Sequence, residues 1–132
     1  MSNLTSTAVD KKHKVLILAP TRELALQIEA ELQVFTKGMN IFSVSCVGGS
    51  PITRQIREHA RGVHFVIGTP GRVKDLIARK RINMEHFGSI VLDEADRMLD
   101  MGFVDDMRYI LGLMPKSRQS LFFSATFSHD IK

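Results

Sequence analysis

One cysteine, one tyrosine, four prolines and no tryptophan in 132 residues set the first limits. With Cys46 alone, no intrachain disulfide can form. A zinc site would have to rely on histidines and acids, and the five histidines are scattered along the chain. Cys46 stands in the apolar run Val44–Ser45–Cys46–Val47 and reads as a buried thiol. No apolar run approaches the length of about 18 residues that a membrane span requires. The opening stretch Met1–Thr7 lacks the basic and apolar regions of a secretory signal. These absences lead to the expectation of a reducing, cytoplasmic setting and no membrane partner. Internal repeats and low-complexity tracts are also missing.

What is present describes a globular domain. Apolar residues make up 44% of the chain and charged residues 24%, ordinary proportions for a packed core with a solvated surface. The length suits one domain and is short for two. A net charge of +4 permits a polyanionic partner without demanding one.

Taken in order, residues 1–13 are polar and rich in Ser and Thr and read as a linker or frayed start. Lys14 to Ala19 is a first buried strand, broken by Pro20–Thr21. Thr21 is an N-cap, and Leu24, Ile28, Leu32 and Phe35 follow at helical spacing, with Gly38 as a stop. Ile41 to Val47 alternates as a second strand. Gly48–Gly49 follows it, then a helix capped by Ser50 with Pro51 at its first position and Ile52, Ile56 and Ala60 as its apolar stripe. Phe65 to Ile67 is a third strand, and Val73, Leu76 and Ile77 mark the helix after it. Ile90 to Asp93 is a fourth strand. Met98 and Leu99, then Met107, Ile110, Leu111 and Met114, outline one or two helices interrupted near Met101–Gly102; their methionines read as core filler. Leu121 to Phe123 is a fifth strand, and Ser128 looks like the cap of another helix. Strands alternating with helices predict an α/β fold: an open, mostly parallel sheet with helices on both faces.

The chemistry gathers after the strands. Ser89–Ile90–Val91–Leu92 runs directly into Asp93–Glu94–Ala95–Asp96, so the carboxylates fall where a buried strand ends. In open parallel sheets, ligands sit beyond the carboxyl ends of the strands, and acids placed there suit Mg²⁺ held beside phosphates, often through water. Taken alone, the acids read equally well as the start of a helix, whose N-terminus favours negative charge. The other strands end in Pro20–Thr21–Arg22–Glu23–Leu24–Ala25, Gly48–Gly49, Thr69–Pro70–Gly71–Arg72 and Ser124–Ala125–Thr126. In a parallel sheet all of these fall on one edge. Helix N-termini, glycine N–H groups, hydroxyls and two arginines along an edge suit a chain of phosphates such as a nucleic-acid backbone. For single residues a plainer role stands beside this one: Thr21 as a cap, Glu23 as a partner of the helix dipole, Gly48 as a turn.

This set of segments resembles the first RecA-like domain of a DEAD-box ATP-dependent RNA helicase. Pro20 to Ala25 resembles motif Ia, Gly48–Gly49 the GG motif and Thr69–Pro70–Gly71–Arg72 motif Ib. Asp93–Glu94–Ala95–Asp96 resembles motif II, and Ser124–Ala125–Thr126 motif III. The resemblance spans residues 14–127, and the domain is expected over 14–132. It implies ATP and Mg²⁺ as cofactors and RNA as partner, bound through its backbone without regard to sequence. It also implies a role for each matching position. Asp93 would hold Mg²⁺ through its water shell. Glu94 would orient or deprotonate the attacking water. Asp96 would contact motif III, and Ser124 and Thr126 would couple hydrolysis to strand separation. Pro20, Thr21, Arg22, Gly48, Gly49, Thr69, Pro70, Gly71 and Arg72 would line the RNA path.

The chain also departs from that family. No G-x-x-x-x-G-K-[ST] phosphate loop occurs, the first glycine being Gly38, past motif Ia. The adenine-reading Q motif and the second RecA-like domain are missing too. The expectation is a piece of a longer helicase that does not hydrolyse ATP alone. The alternative is a non-catalytic RNA-binding or regulatory module. Without the strand that carries the phosphate loop, Leu121–Phe123 is expected to form an exposed apolar edge open to self-association.

Overall fold

A computed structural model of the chain describes residues 14–39, 41–47 and 63–122. The chain forms β1 (Lys14–Leu18), α1 (Arg22–Thr36), β2 (Ser43–Cys46) and β3 (Phe65–Gly68), then α2 (Pro70–Ala78) and a 3₁₀ turn (Met84–His86). It continues through β4 (Phe87–Leu92), α3 (Ala95–Asp100), α4 (Val104–Gly112) and β5 (Gln119–Phe122). The five strands make one sheet in the order β2-β3-β1-β4-β5, and every pairing is parallel. The open parallel α/β sheet read from the alternating pattern is therefore the fold.

The strand order dictates the layers. The chain moves from β1 outward to β2, then back through β3 to β4 and β5. Right-handed crossovers running in opposite directions along a sheet put their helices on opposite faces. Accordingly α1 lies against β2 and β3, while α2 packs with α4. On the side of α2 to α4, Leu16, Leu18, Val66, Ile90 and Leu92 meet Val73, Leu76, Met98, Met107 and Ile110 in one apolar cluster. Each large aliphatic side chain fully buried there contributes roughly 1.5–3 kcal/mol. The α1 side holds a smaller cluster of Ala19, Ala25, Val47 and Ile67, with Ile17, Leu24, Ile28 and Leu32 half-buried against it. Ser45 donates its hydroxyl hydrogen to Glu29 Oε1 at 2.5 Å, tying β2 to α1.

Local chemistry sets the element ends. The Thr21 hydroxyl oxygen accepts the Leu24 N–H at 3.2 Å, so Thr21 is the N-cap of α1. Gly38 takes φ +86 just beyond that helix, a conformation that a β-carbon disfavours. At the end of β3, a β-carbon on Gly68 would overlap the Cys46 carbonyl oxygen and come within 2.8 Å of Val73 Cγ2. Cys46 itself is fully buried.

Several expectations shift. Phe35, placed on the buried stripe of α1, is 79% exposed. At 1.5 Å per residue α1 is about 22 Å long, whereas four or five strand residues at 3.3 Å span only about 13–17 Å, so the last turn of α1 runs past the sheet. Leu99 is exposed as well, because in the short α3 the neighbouring Met98 takes the core position. β2 is shorter than the Ile41–Val47 run; β4 and β5 start earlier than expected, at Phe87 and Gln119. β4 ends at Leu92, which leaves Asp93 beyond the strand. Met98, Met107 and Met114 are core residues, as their spacing suggested. The expected helix after Gly48–Gly49, both of those glycines, the Ser124–Ala125–Thr126 segment, the Ser128 cap and the stretch 1–13 lie outside the described residues.

Candidate functional site

The strands end together. Cys46 pairs with Gly68, Gly68 with Leu18, Leu18 with Leu92 and Leu92 with Phe122, so one row of residues crosses all five strands at their carboxyl ends. The row continues one residue further. The Ala19 N–H donates to the Gly68 carbonyl at 3.0 Å, and the Asp93 N–H to the Leu18 carbonyl at 2.9 Å. Segments 19–22, 69–72 and 93–96 therefore leave the sheet along one rim. β1 and β4 are neighbours, yet their following helices go to opposite faces. In open parallel sheets ligands bind at such a divergence, and Asp93 follows one of the two strands that border it.

The acids there are held unfavourably. The Asp93 carboxyl is half-buried, and its pKa is raised. Burial is the largest cause, followed by the charge of Glu94; the Glu94 backbone N–H hydrogen bond works against the rise, and the charge of Glu31 on α1 adds to it. Glu94 sits in the left-handed region at φ 55, ψ 50, which is costly for any residue bearing a β-carbon. Its carbonyl accepts the Met98 N–H at 3.1 Å and so starts α3, while its side chain, 16% exposed, faces Arg97 with Nη1 to Oε1 at 3.4 Å. The helix-start reading of these acids is thus correct as far as it goes, but it does not account for a carboxyl driven toward its neutral form. A divalent cation at Asp93 would offset the crowded negative charge. Among the described residues no group of three or more His, Cys, Asp or Glu side chains encloses a metal site.

The second part of the rim is cationic. Thr69 is the N-cap of α2 and makes no side-chain capping hydrogen bond; Pro70 stands at the first helical turn, and that turn contains no acid. Gly71 keeps the backbone open, the nearest atom to an added β-carbon being Asp106 Oδ2 at 3.8 Å. The guanidinium of Arg72 lies 3.6 Å from Asp75 Oδ2, and Arg79 Nε lies 3.2 Å from Asp75 Oδ1. Lys74 Nζ sits 3.2 Å from Asp106 Oδ1 and 5.3 Å from the Tyr109 ring centroid, which braces α2 against α4. Across the rim, Pro20 is buried and Thr21 half-buried, while Arg22 is exposed at the first residue of α1.

The structure thus brings Pro20, Thr21, Arg22, Thr69, Pro70, Gly71, Arg72, Asp93, Glu94 and Asp96 to one rim. Asp75, Arg79 and Arg97 were not singled out from the sequence. Their spacing of three or four residues from the residues they pair with was the available signal, because such positions share one helix face. Glu31 had no such signal: its influence on Asp93 arises only once α1 lies beside the sheet. A hollow of about 350 Å³ lined by Ile77, Lys80, Ile82, Met84 and Leu113 opens at the other end of the strands, and no rim residue lines it.

Fold and rim together define a parallel α/β domain of the kind that handles its ligands beyond its strand ends. Comparison with known proteins supplies the family. The DEAD/DEAH box helicase profile matches residues 2–132, and the chain belongs to that family. The RNA helicase CrhR of Synechocystis sp. is 50% identical over 119 residues, covering 90% of this chain and 24% of that protein. A DEAD box protein from the hyperthermophile Methanococcus jannaschii superposes with a TM-score of 0.81 at 39% identity, over 89% of this chain and 32% of its own. A hypothetical ATP-dependent RNA helicase from Sulfolobus tokodaii gives 0.80 at 35% identity, over 86% and 34%. The chain therefore spans about a quarter of the relative's length and about a third of each of these structures.

Proposed function

We propose that the protein acts in ATP-dependent RNA unwinding or remodelling, with residues 14–132 forming part of a first RecA-like domain and residues 1–13 a linker. The observation that carries this reading is the single in-register row of strand ends, which sets an electrostatically crowded carboxyl beside two helix starts that bear hydroxyls and arginines. Asp93 would hold Mg²⁺ through water. Bound there, the ion supplies charge neutralisation at phosphate oxygens. Glu94, fixed by its own backbone conformation and by Arg97, orients or deprotonates a water for attack on a phosphoryl group. From the family resemblance, Asp96 would act with Ser124 and Thr126, which would couple hydrolysis to strand separation. Pro20, Thr21, Arg22, Gly48, Gly49, Thr69, Pro70, Gly71 and Arg72 track the RNA backbone without reading its bases.

The 132-residue chain contains no phosphate-loop string. By itself it is expected to bind single-stranded RNA without ATP or Mg²⁺ and to show no ATP turnover. Two measurements test this. RNA affinity should fall linearly with salt on logarithmic axes and depend little on sequence. Magnesium-dependent ATP turnover by the chain, abolished by Glu94→Gln, would contradict the expected inactivity. RNA affinity that is insensitive to salt would contradict the backbone contacts. We further propose that β5 supports self-association. It pairs with β4 on one side only among the described residues, and Leu121 is 45% exposed. Sedimentation should reveal a concentration-dependent dimer, and a monomer at every concentration would refute it. A cytoplasmic setting fits this assignment.

A further inference from the structure

We propose that Asp75 is the positioning residue for the Arg72 phosphate contact, and that Arg79 is the counter-charge that lets it serve. The inference rests on the RNA reading above. Arg72 stands in the first turn of α2, where the helix dipole already places partial positive charge and the turn itself contains no acid. A flexible cation there would swing away from the helix end into solvent. Instead the Arg72 side chain is only 19% exposed and reaches one turn along its own helix, to Asp75 Oδ2. A carboxylate paired with a single arginine would cancel the charge that a phosphate needs. Asp75 avoids this because its other oxygen, Oδ1, receives Arg79 Nε at 3.2 Å. The three side chains together keep one net positive charge. The spacing supports this division of labour: Arg72, Asp75 and Arg79 follow at three and four residues along one helix face. Arg72 lies at the rim end of that face and Arg79 at the far end, past the last residue of α2.

Simple electrostatics and positioning predict opposite signs for one substitution. Asp75→Asn removes a negative charge close to the RNA path. If charge alone governed, the variant would bind single-stranded RNA more tightly. If Asp75 orients Arg72, the variant binds more weakly despite its added positive charge. The experiment measures affinity of the 132-residue chain for a single-stranded oligouridylate across a salt series, for the wild type, Arg72→Ala, Asp75→Asn, Asp75→Glu and the double variant Arg72→Ala/Asp75→Asn. Thermal unfolding of each variant accompanies it. Expected are a loss of about fivefold for Asp75→Asn, substantial recovery in Asp75→Glu, and no further loss when Asp75→Asn is added to Arg72→Ala. Arg72→Ala should also lower the salt slope by about one. Tighter or unchanged binding by Asp75→Asn, or an undiminished loss in the Arg72→Ala background, would overturn the positioning role while leaving the RNA reading intact. Wild-type binding that ignores salt, or an Arg72→Ala variant that binds like the wild type, would overturn the RNA reading and this inference with it.

Discussion

The body of the sheet and its rim are built to different standards. In the body, local preference and tertiary position agree. Ile90 and Leu92 on β4 are fully buried, Val73 and Leu76 on α2 meet them, and Met98 and Ile110 close the same layer. At the rim, local preference is set aside repeatedly within a few residues. Glu94 adopts φ 55, Asp93 keeps a carboxyl that burial and neighbouring acids push toward protonation, and Arg72 brings a cation to the positive end of a helix. Sequences that specify a fold are consistent across levels, and the places where consistency fails are commonly functional. The contrast marks the rim as the candidate site without reference to any bound molecule.

The contrast can be broken or sharpened by substitution. The largest effect belongs to the body. Ile90→Ala removes a fully buried side chain from the central layer and should cost about 2–5 kcal/mol in urea unfolding. A cost under about 1 kcal/mol would show the layer to be loosely packed. At the rim the sign should reverse. Glu94→Gly relieves the left-handed backbone and should raise stability by about 1 kcal/mol. The lost Arg97 contact subtracts little, because that arginine is half exposed. A destabilised Glu94→Gly variant would mean that the conformation carries no stored cost.

The smallest effect is the most specific. The pKa of Asp93 is raised in the folded chain, so its protonated form favours folding. That contribution is complete below the ordinary carboxylate range and is lost as pH rises through the raised value. Asp93→Asn should therefore be more stable than the wild type at neutral pH, and the difference should vanish in acid. The effect is modest because the carboxyl is only about half-buried. A variant less stable than the wild type at neutral pH would show that Asp93 serves the fold.

The body of the sheet is legible in the sequence, and parts of the rim are not. Element types, order and the parallel sheet were legible because buried strands, Thr21 and Gly38 carry local signals that the fold respects. The common rim followed from parallel pairing alone. What stayed hidden depends on three-dimensional proximity or on finite length. Phe35 keeps the helical period of its neighbours yet projects beyond the short strands. The Glu31 influence on Asp93 needs α1 laid beside the sheet. The left-handed turn at Glu94 has no glycine or asparagine to announce it.

Central to the account is a single rim that carries both the acids and the RNA path, and photocrosslinking tests it most directly. A single-stranded RNA containing photoreactive thiouridine, irradiated with the 132-residue chain and mapped by mass spectrometry, should label the segments around Thr21–Arg22 and Thr69–Arg72. Labelling concentrated at the opposite strand ends, around Lys80–Glu85 and Leu113–Lys116, would contradict it.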